Sequence, residues 1–327
     1  MVRQGRFNAR RVIAVLLVAL VLGQGIWWRA RVDDRYSAAV TVTALAHSGA
    51  SLGGLTVESL WQVRGTGENF GGYSAMLLLG NRLRLFSDRG FLLTIARPDR
   101  APDPAVPPSS RQLYPVGMPL ADLLDIESVT SSPVTGQYWV GYENRHTIYR
   151  YAVDGTPEAF VRPQFTRGWY ANGGMEALVR LHDGRFLAFH EGGSDLFLYA
   201  GDPVARADWA RLLVAWPQDY DPTDAAQLPD GRIVVLLRRV ALHLPVFESR
   251  LVLLDPAEQR AGTAWPVHTL AQLEDLLPRD NWEALTVEPS ADPGSVILWL
   301  ASDDNKSAFQ RSLIAKLRFA PPPADGT

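Results

Sequence analysis

Acidic residues recur in this 327-residue chain where pairs of short apolar runs begin and end. Asp125-Ile126-Glu127 opens one pair and Glu143 closes it; Glu176 and Glu191 bracket the next; Glu283 and Asp303-Asp304 bracket the last. Two further units carry Ser74 with Asp88-Arg89, and Asp224 with Arg238-Arg239. Carboxylates brought together can move protons or bind a hard, oxygen-seeking cation, and arginines among them can hold an anionic substrate. Glu143, Glu191 and Asp303 are accordingly the candidate catalytic residues. Asp88, Glu127, Glu176, Glu283 and Asp304 are the candidate metal ligands, with Ca2+ as the cation that suits them. Arg89, Arg145 and Arg311 are the candidate binders of a small-molecule ester or phosphoester.

A competing role exists for the opening glutamates. A carboxylate at a strand start can bond the backbone of the neighbouring sheet and act as a repeated staple, so Glu127, Glu176 and Glu283 stand between staple and ligand. Other chemistry is poorly represented. There is no Gly-x-Ser-x-Gly elbow, and with no cysteine the chain has neither a thiolate nucleophile nor thiolate metal ligands. His146 and His190 follow strand ends, where each is either a general acid–base group or a satisfied surface histidine. His182 precedes an Asp-Gly turn at the opposite end of its hairpin.

The elements that position these residues repeat. From Ser74 through Glu127, Glu176, Asp224 and Glu283 the interval is about 48 to 59 residues, and each unit holds short strands around a tight turn such as Asp183-Gly184 or Asp230-Gly231. Such periods predict an all-β fold, a single β-propeller of five to six blades. The sixth blade would come from Tyr36–Arg64 pairing with the C-terminus; Tyr36–Ala46 and Leu55–Val63 read as strands. Residues 97–110 read as an exposed proline-rich loop and residues 270–277 as a short helix. In an antiparallel hairpin the start of the first strand lies beside the end of the second. Each unit therefore sets two polar residues at one end, and radial blades would gather them at one mouth of the disc.

Composition narrows the function classes. Hydrophobic residues make up 47% of the chain, enough for a large core, and the net charge of −3 is spread without a basic stripe, which argues against nucleic acid. Arg3, Arg6, Arg10 and Arg11 precede an apolar run from Val12 to Leu22, with Trp27-Trp28 beyond it. That pattern predicts a signal peptide or signal anchor over residues 1–31 and a propeller domain over 32–327. The protein is then exported, either anchored in an inner membrane facing the periplasm, or periplasmic or secreted if the segment is cleaved.

Taken together, Asn69–Gly90, Asp125–Tyr151, Asn172–Glu191, Pro222–Arg239 and Asn281–Leu317, above all Asn281-Trp282-Glu283-Ala284-Leu285, Ser302-Asp303-Asp304-Asn305 and Gln310-Arg311-Ser312-Leu313, resemble the phytase-like family, the "esterase-like activity of phytase" proteins. The resemblance implies an exported β-propeller with phosphoesterase or esterase activity and calcium as cofactor. Two positions depart from the family's wording: Ala284 where glycine is common, and Arg238 where an acid often sits. The other reading open to such a propeller is non-catalytic binding of a glycan, peptide or partner protein in the cell envelope.

Overall fold

The structure is a computed structural model that describes residues 39–67, 70–113, 125–169, 173–241, 246–305, 307 and 310–323. The expected signal or anchor over residues 1–31 lies outside the described residues, among which no helix is long and apolar enough to cross a membrane.

Strands β1 (Val40–Leu45), β2 (Ser51–Leu52) and β3 (Leu55–Gly65) come first in the chain but belong to the last sheet. Blade 1 is β4 (Tyr73–Leu79), β5 (Arg82–Ser87), β6 (Phe91–Ala96) and β7 (Ser109–Gln112). Blade 2 is β8 (Ile126–Ser131), β9 (Tyr138–Tyr142), β10 (Thr147–Tyr151) and β11 (Pro157–Val161). Blade 3 runs through β12 (Met175–Arg180), β13 (Phe186–His190), β14 (Asp195–Tyr199) and β15 (Trp209–Leu213). Blade 4 contains β16 (Asp221–Gln227), β17 (Ile233–Val240), β18 (Phe247–Leu254) and β19 (His268–Gln272). Blade 5 contains β20 (Asn281–Pro289), β21 (Val296–Asp303) and β22 (Leu313–Phe319), and β3 completes it as the fourth strand. The first strands β4, β8, β12, β16 and β20 pack neighbour against neighbour, with β20 returning to β4, so the ring closes at five blades.

The pattern of apolar residues explains the ring. A blade is covered on both faces by its neighbours, so its strands are apolar throughout rather than on alternate positions; all eight residues of β21 are buried. Five apolar clusters fill the five clefts between blades. Trp282 and Leu300 meet Leu236 and Leu253 between blades 4 and 5, Trp299 and Trp61 meet Met76 and Leu85 between blades 5 and 1, and Phe86 meets Tyr138 and Tyr142 between blades 1 and 2. Trp139 meets Phe186, and Phe189 meets Val235, in the remaining two. Closure comes from pairing the two ends of the domain: β3 runs antiparallel to β22, from Leu55 opposite Phe319 to Gln62 opposite Leu313.

Two expectations change. The segment expected as a sixth blade is instead the outer part of blade 5, because β3 fills the fourth-strand place that the C-terminal strands lack and β1 pairs outside it. Residues 268–272 form the outer strand of blade 4, leaving a single 3-10 turn at Leu273–Asp275 where a helix was expected. The spacing of Leu273, Leu276 and Leu277 reflects burial of that turn in the cleft beside blade 5. The proline-rich loop after β6 is pinned at its start: buried Arg97 donates to Asp99 and Glu288 and lies 5.2 Å from the Trp299 ring centre.

Candidate active site at the propeller axis

Every first strand carries a β-bulge at the same place. Pairing skips one residue between Tyr73 and Ala75, Ile126 and Ser128, Met175 and Ala177, Pro222 and Asp224, and Trp282 and Ala284. The extra residues are Ser74, Glu127, Glu176, Thr223 and Glu283. A bulged residue leaves the ladder and its side chain is re-aimed, which is how a repeated fold presents a repeated side chain at its rim. For blade 4 the bulge residue is Thr223, not Asp224. Asp224 is buried and accepts from the backbone N–H groups of Ala225 (2.8 Å) and Leu285 (2.7 Å), the latter in blade 5.

The closing residues lie beside the opening ones, as hairpin geometry requires. Backbone N–H groups of Asp88, Glu143 and Glu191 donate to the carbonyls of Gly72, Asp125 and Gly174, so each ladder runs on past the strand ends. Asn281 stands directly opposite Asp303, and Asp221 opposite Arg238. Gly174 permits this approach: a Cβ there would stand 2.5 Å from Cγ and 3.0 Å from Cβ of Glu143. Asp125, in the left-handed region at φ 77°, joins two blades, its N–H donating to the Asp88 carbonyl.

Two carboxylate triads result. Asp125, Glu127 and Glu143 have oxygens within 4.8 Å of one another, and so do Glu143, Glu176 and Glu191, with Glu143 common to both. Blade 4 supplies Arg238 on the other side, hydrogen-bonded to Glu283 and, at 3.0 Å, to Asn281 Oδ1; Asn281 Nδ2 donates to the same Glu283 oxygen at 2.8 Å.

Crowding shapes the titration of the ring. Burial, then the charges of Glu176, Glu283, Asp125 and Glu143, pushes Glu127 well above the usual carboxylate range. Burial and then Glu191 do the same to Glu176 against the pull of Arg238, and burial, Glu283 and Asp88 do it to Asp303. Burial, followed by Asp125 and Glu191, pushes Glu143 up to about 8; Asp88, relieved by Arg89, goes to about 6. Glu191 is raised by burial, with Arg238 opposing. Burial disfavours the Arg238 charge, but Glu283, Glu176, Glu127 and Glu191 outweigh it and hold the guanidinium protonated.

The structure thus brings Glu127, Glu143, Glu176 and Glu191 together, with Glu283, Asp303 and Asp88 electrostatically linked to them. Neither Glu127 nor Glu176 forms a side-chain hydrogen bond among the described residues. Stapling between blades falls to other groups, including Ser128 Oγ donating to the Met175 carbonyl at 2.9 Å, and Asp224. Asp304 sits apart, accepting from Gly72 N–H (3.1 Å) and Ser312 Oγ (2.8 Å) and so clasping blade 5 to the start of blade 1. Arg311 is held by Asp280 at 3.1 Å, Arg89 flanks Asp88, and Arg145 lies in the turn after β9. His146 and His190 enclose Trp169: His190 stacks on it at 3.8 Å and buried His146 meets it edge-on at 5.6 Å. Sequence spacing missed Asp125 as a member of the cluster; its place two residues before a marker glutamate was the available signal.

The profile of the phytase-like family, described as "esterase-like activity of phytase", matches residues 68–306. The chain belongs to the phytase-like family. That match spans all five first strands of this phytase-like propeller and both triads. No match was found among the curated proteins. Among solved structures the chain is similar to glutaminyl cyclase from Myxococcus xanthus, at 11% identity and a TM-score of 0.49 over 81% of this chain and 97% of that one. It is also similar to a luciferin-regenerating enzyme, at 11% identity and a TM-score of 0.46 over 80% and 86% of the two chains. A third is the β-propeller domain of Cps50 (Swd1) from Myceliophteria thermophila, at 11% identity and 0.38 over 79% and 99%.

Proposed function

We propose that the axial mouth hydrolyses a phosphate or carboxylic ester with the help of a hard divalent cation, Ca2+. The observation that carries this reading is the pair of interlocked triads: four carboxylates from two adjacent blades gather around Glu143, and the Arg238 guanidinium faces Glu127, Glu176 and Glu191. Carboxylates within 4.8 Å of one another repel and resist ionisation unless a cation intervenes. Every donor in both triads is a carboxylate oxygen, the ligand type that suits Ca2+ and not a soft metal. The residues therefore fit the cation that family membership suggests.

In this reading Glu127, Glu143 and Glu176 hold the cation and Asp125 adds to the oxygen set. Bound there, Ca2+ would neutralise the ring and polarise the ester oxygen. Glu191, beside Arg238, takes the proton of the attacking water at its carboxylate oxygen. Asp303, whose carboxyl is pushed upward by burial and then by Glu283 and Asp88, is suited to return a proton to the leaving oxygen. Arg89 and Arg145 hold the anionic part of the substrate. Because the apolar leader follows a run of arginines, the mouth is placed outside the cytoplasm.

The test is release of phosphate or p-nitrophenol by the full chain from phosphomonoesters, phosphodiesters and carboxylic esters, with Ca2+ and with chelator. Calcium-dependent turnover that is lost in Glu191→Gln and Asp303→Asn, with unchanged thermal melting, is expected. Turnover that survives in both folded variants overturns the assignment of acid and base. No turnover of any substrate by a folded, calcium-loaded protein shifts the reading to a binding propeller.

A further inference from the structure

A second site opens on the side of the propeller, away from the axial carboxylates. A cleft of about 840 Å³ lies between the outer strand of blade 2, the segment at 162–167 and the turn that follows β14 in blade 3. Arg162, Arg167 and Arg206 line it together with Phe160, Tyr199 and Trp209, and it shares no residue with the two triads.

Its arginines differ from their neighbours. Arg150 is matched by Glu158 and Asp202, and Arg211 by Asp195, whereas none of the three cleft guanidiniums pairs with a carboxylate among the described residues. Tyr199 is 3% exposed, and its buried hydroxyl has no hydrogen-bond partner. A buried hydroxyl left without a partner is costly, and a ligand that reaches it removes that cost. Two aromatic rings in the cleft are open to solvent but fixed from behind. Trp209, 42% exposed, is backed edge-on by Phe165 at 4.9 Å, and Phe160, 59% exposed, is stacked on Tyr149 at 5.0 Å.

We propose that this cleft binds an acidic saccharide, a sugar with carboxylate or phosphate substituents. A simple anion would engage the arginines and leave the aromatic platforms idle. An apolar ligand would cover the platforms and strand three guanidiniums and the Tyr199 hydroxyl. Asp208, the one acid among the described residues that line the cleft, calls for hydroxyl donors on the ligand, which a sugar has and a plain aromatic acid lacks. The volume lies within the range of small-molecule sites and exceeds what a lone phosphate would fill.

Titration calorimetry on the full chain, in chelator so that the axial mouth plays no part, tests the proposal. The probes are trigalacturonate, glucose 6-phosphate, neutral maltotriose and inorganic phosphate. Binding of at least one acidic sugar, at least tenfold tighter than maltotriose and than inorganic phosphate, is expected, and the first two probes distinguish the carboxylate from the phosphate source. The double variant Arg162→Gln with Arg206→Gly weakens it at least tenfold. Glycine is suited to position 206 because Arg206 sits at φ 59°, so the guanidinium is removed without straining the backbone. Trp209→Ala weakens it too, while the axial variant Glu191→Gln binds as the parent does. No heat with either acidic sugar, equal affinity for inorganic phosphate, or unchanged binding by a folded arginine double variant overturns the proposal.

Discussion

The crowded ring makes stability depend on pH in a direction opposite to ordinary acid denaturation. Glu143 titrates near 8 in the fold, against about 4.5 for an unburied glutamate. Below the lower value both states carry the proton and its contribution to stability is fully present. As pH rises between the two, the unfolded chain releases the proton while the folded chain retains it, so stability is progressively lost, and the loss is complete above about 8. Two of those pH units lie between 6 and 8. At about 1.4 kcal/mol per unit the ceiling is roughly 3 kcal/mol, which solvent at the mouth reduces to about 1.5 kcal/mol. Glu127, Glu176 and Asp303 are also raised, by burial first, and act in the same direction.

The assay is thermal melting of the chelator-treated full chain at pH 6 and pH 9. At about 2–4 °C per kcal/mol for a domain of this size, Glu143 alone lowers the melting temperature by about 3–6 °C. Millimolar Ca2+ added at pH 9 should restore it, because a ligand that binds only the folded state adds about 2.7 kcal/mol at a hundred times its dissociation constant. A metal-free protein as stable at pH 9 as at pH 6 would refute the reasoning about the ring. A melting temperature indifferent to Ca2+ at pH 9 would refute the cation.

Other outcomes follow from the same geometry. Glu176→Gln should raise the metal-free melting temperature at pH 9, since it removes an acid whose ionisation burial and the neighbouring carboxylates oppose, and should weaken calcium binding measured by calorimetry. Asp224→Ala should cost about 2 kcal/mol in urea unfolding, because it strands the buried Leu285 N–H across the blade 4–5 cleft. Gly174→Ala should cost about 1–3 kcal/mol and weaken calcium binding, as the new methyl displaces Glu143; unchanged affinity would show that the approach of blade 3 does not position that carboxylate.

Much of this arrangement is legible in the sequence. The roughly fifty-residue interval, the Asp-Gly turns and the polar residues at both ends of each hairpin are enough to predict a propeller and to put Glu127, Glu143, Glu176 and Glu191 at one mouth, where they meet. Blade number was less legible, since an N-terminal strand can either found a new blade or complete the last one, and only the pairing of β3 with β22 decides. Asp304 shows a different limit. Its neighbour Asp303 ends β21 facing the ring, while Asp304 turns to clasp Gly72, a contact with a residue more than two hundred positions away that no local pattern encodes.

Blade 4 shows most clearly why spacing alone misassigns a site. Asp224 is an acid like the markers of three of the other four units, and its distance from Arg238 resembles their spacing, so a sequence reading takes it for the ring member. The bulge lies one residue earlier, and with two residues facing one, a single step exchanges the rim for the interior. Thr223 takes the rim position and the carboxylate goes inward, where two backbone donors satisfy it. Blade 4 therefore brings a hydroxyl and a guanidinium where the neighbouring blades bring acids, and the ring acquires one positive side. A symmetric ring of carboxylates could hold only cations. With Arg238 facing the triads, the mouth can hold a cation and the anion it acts on at the same time.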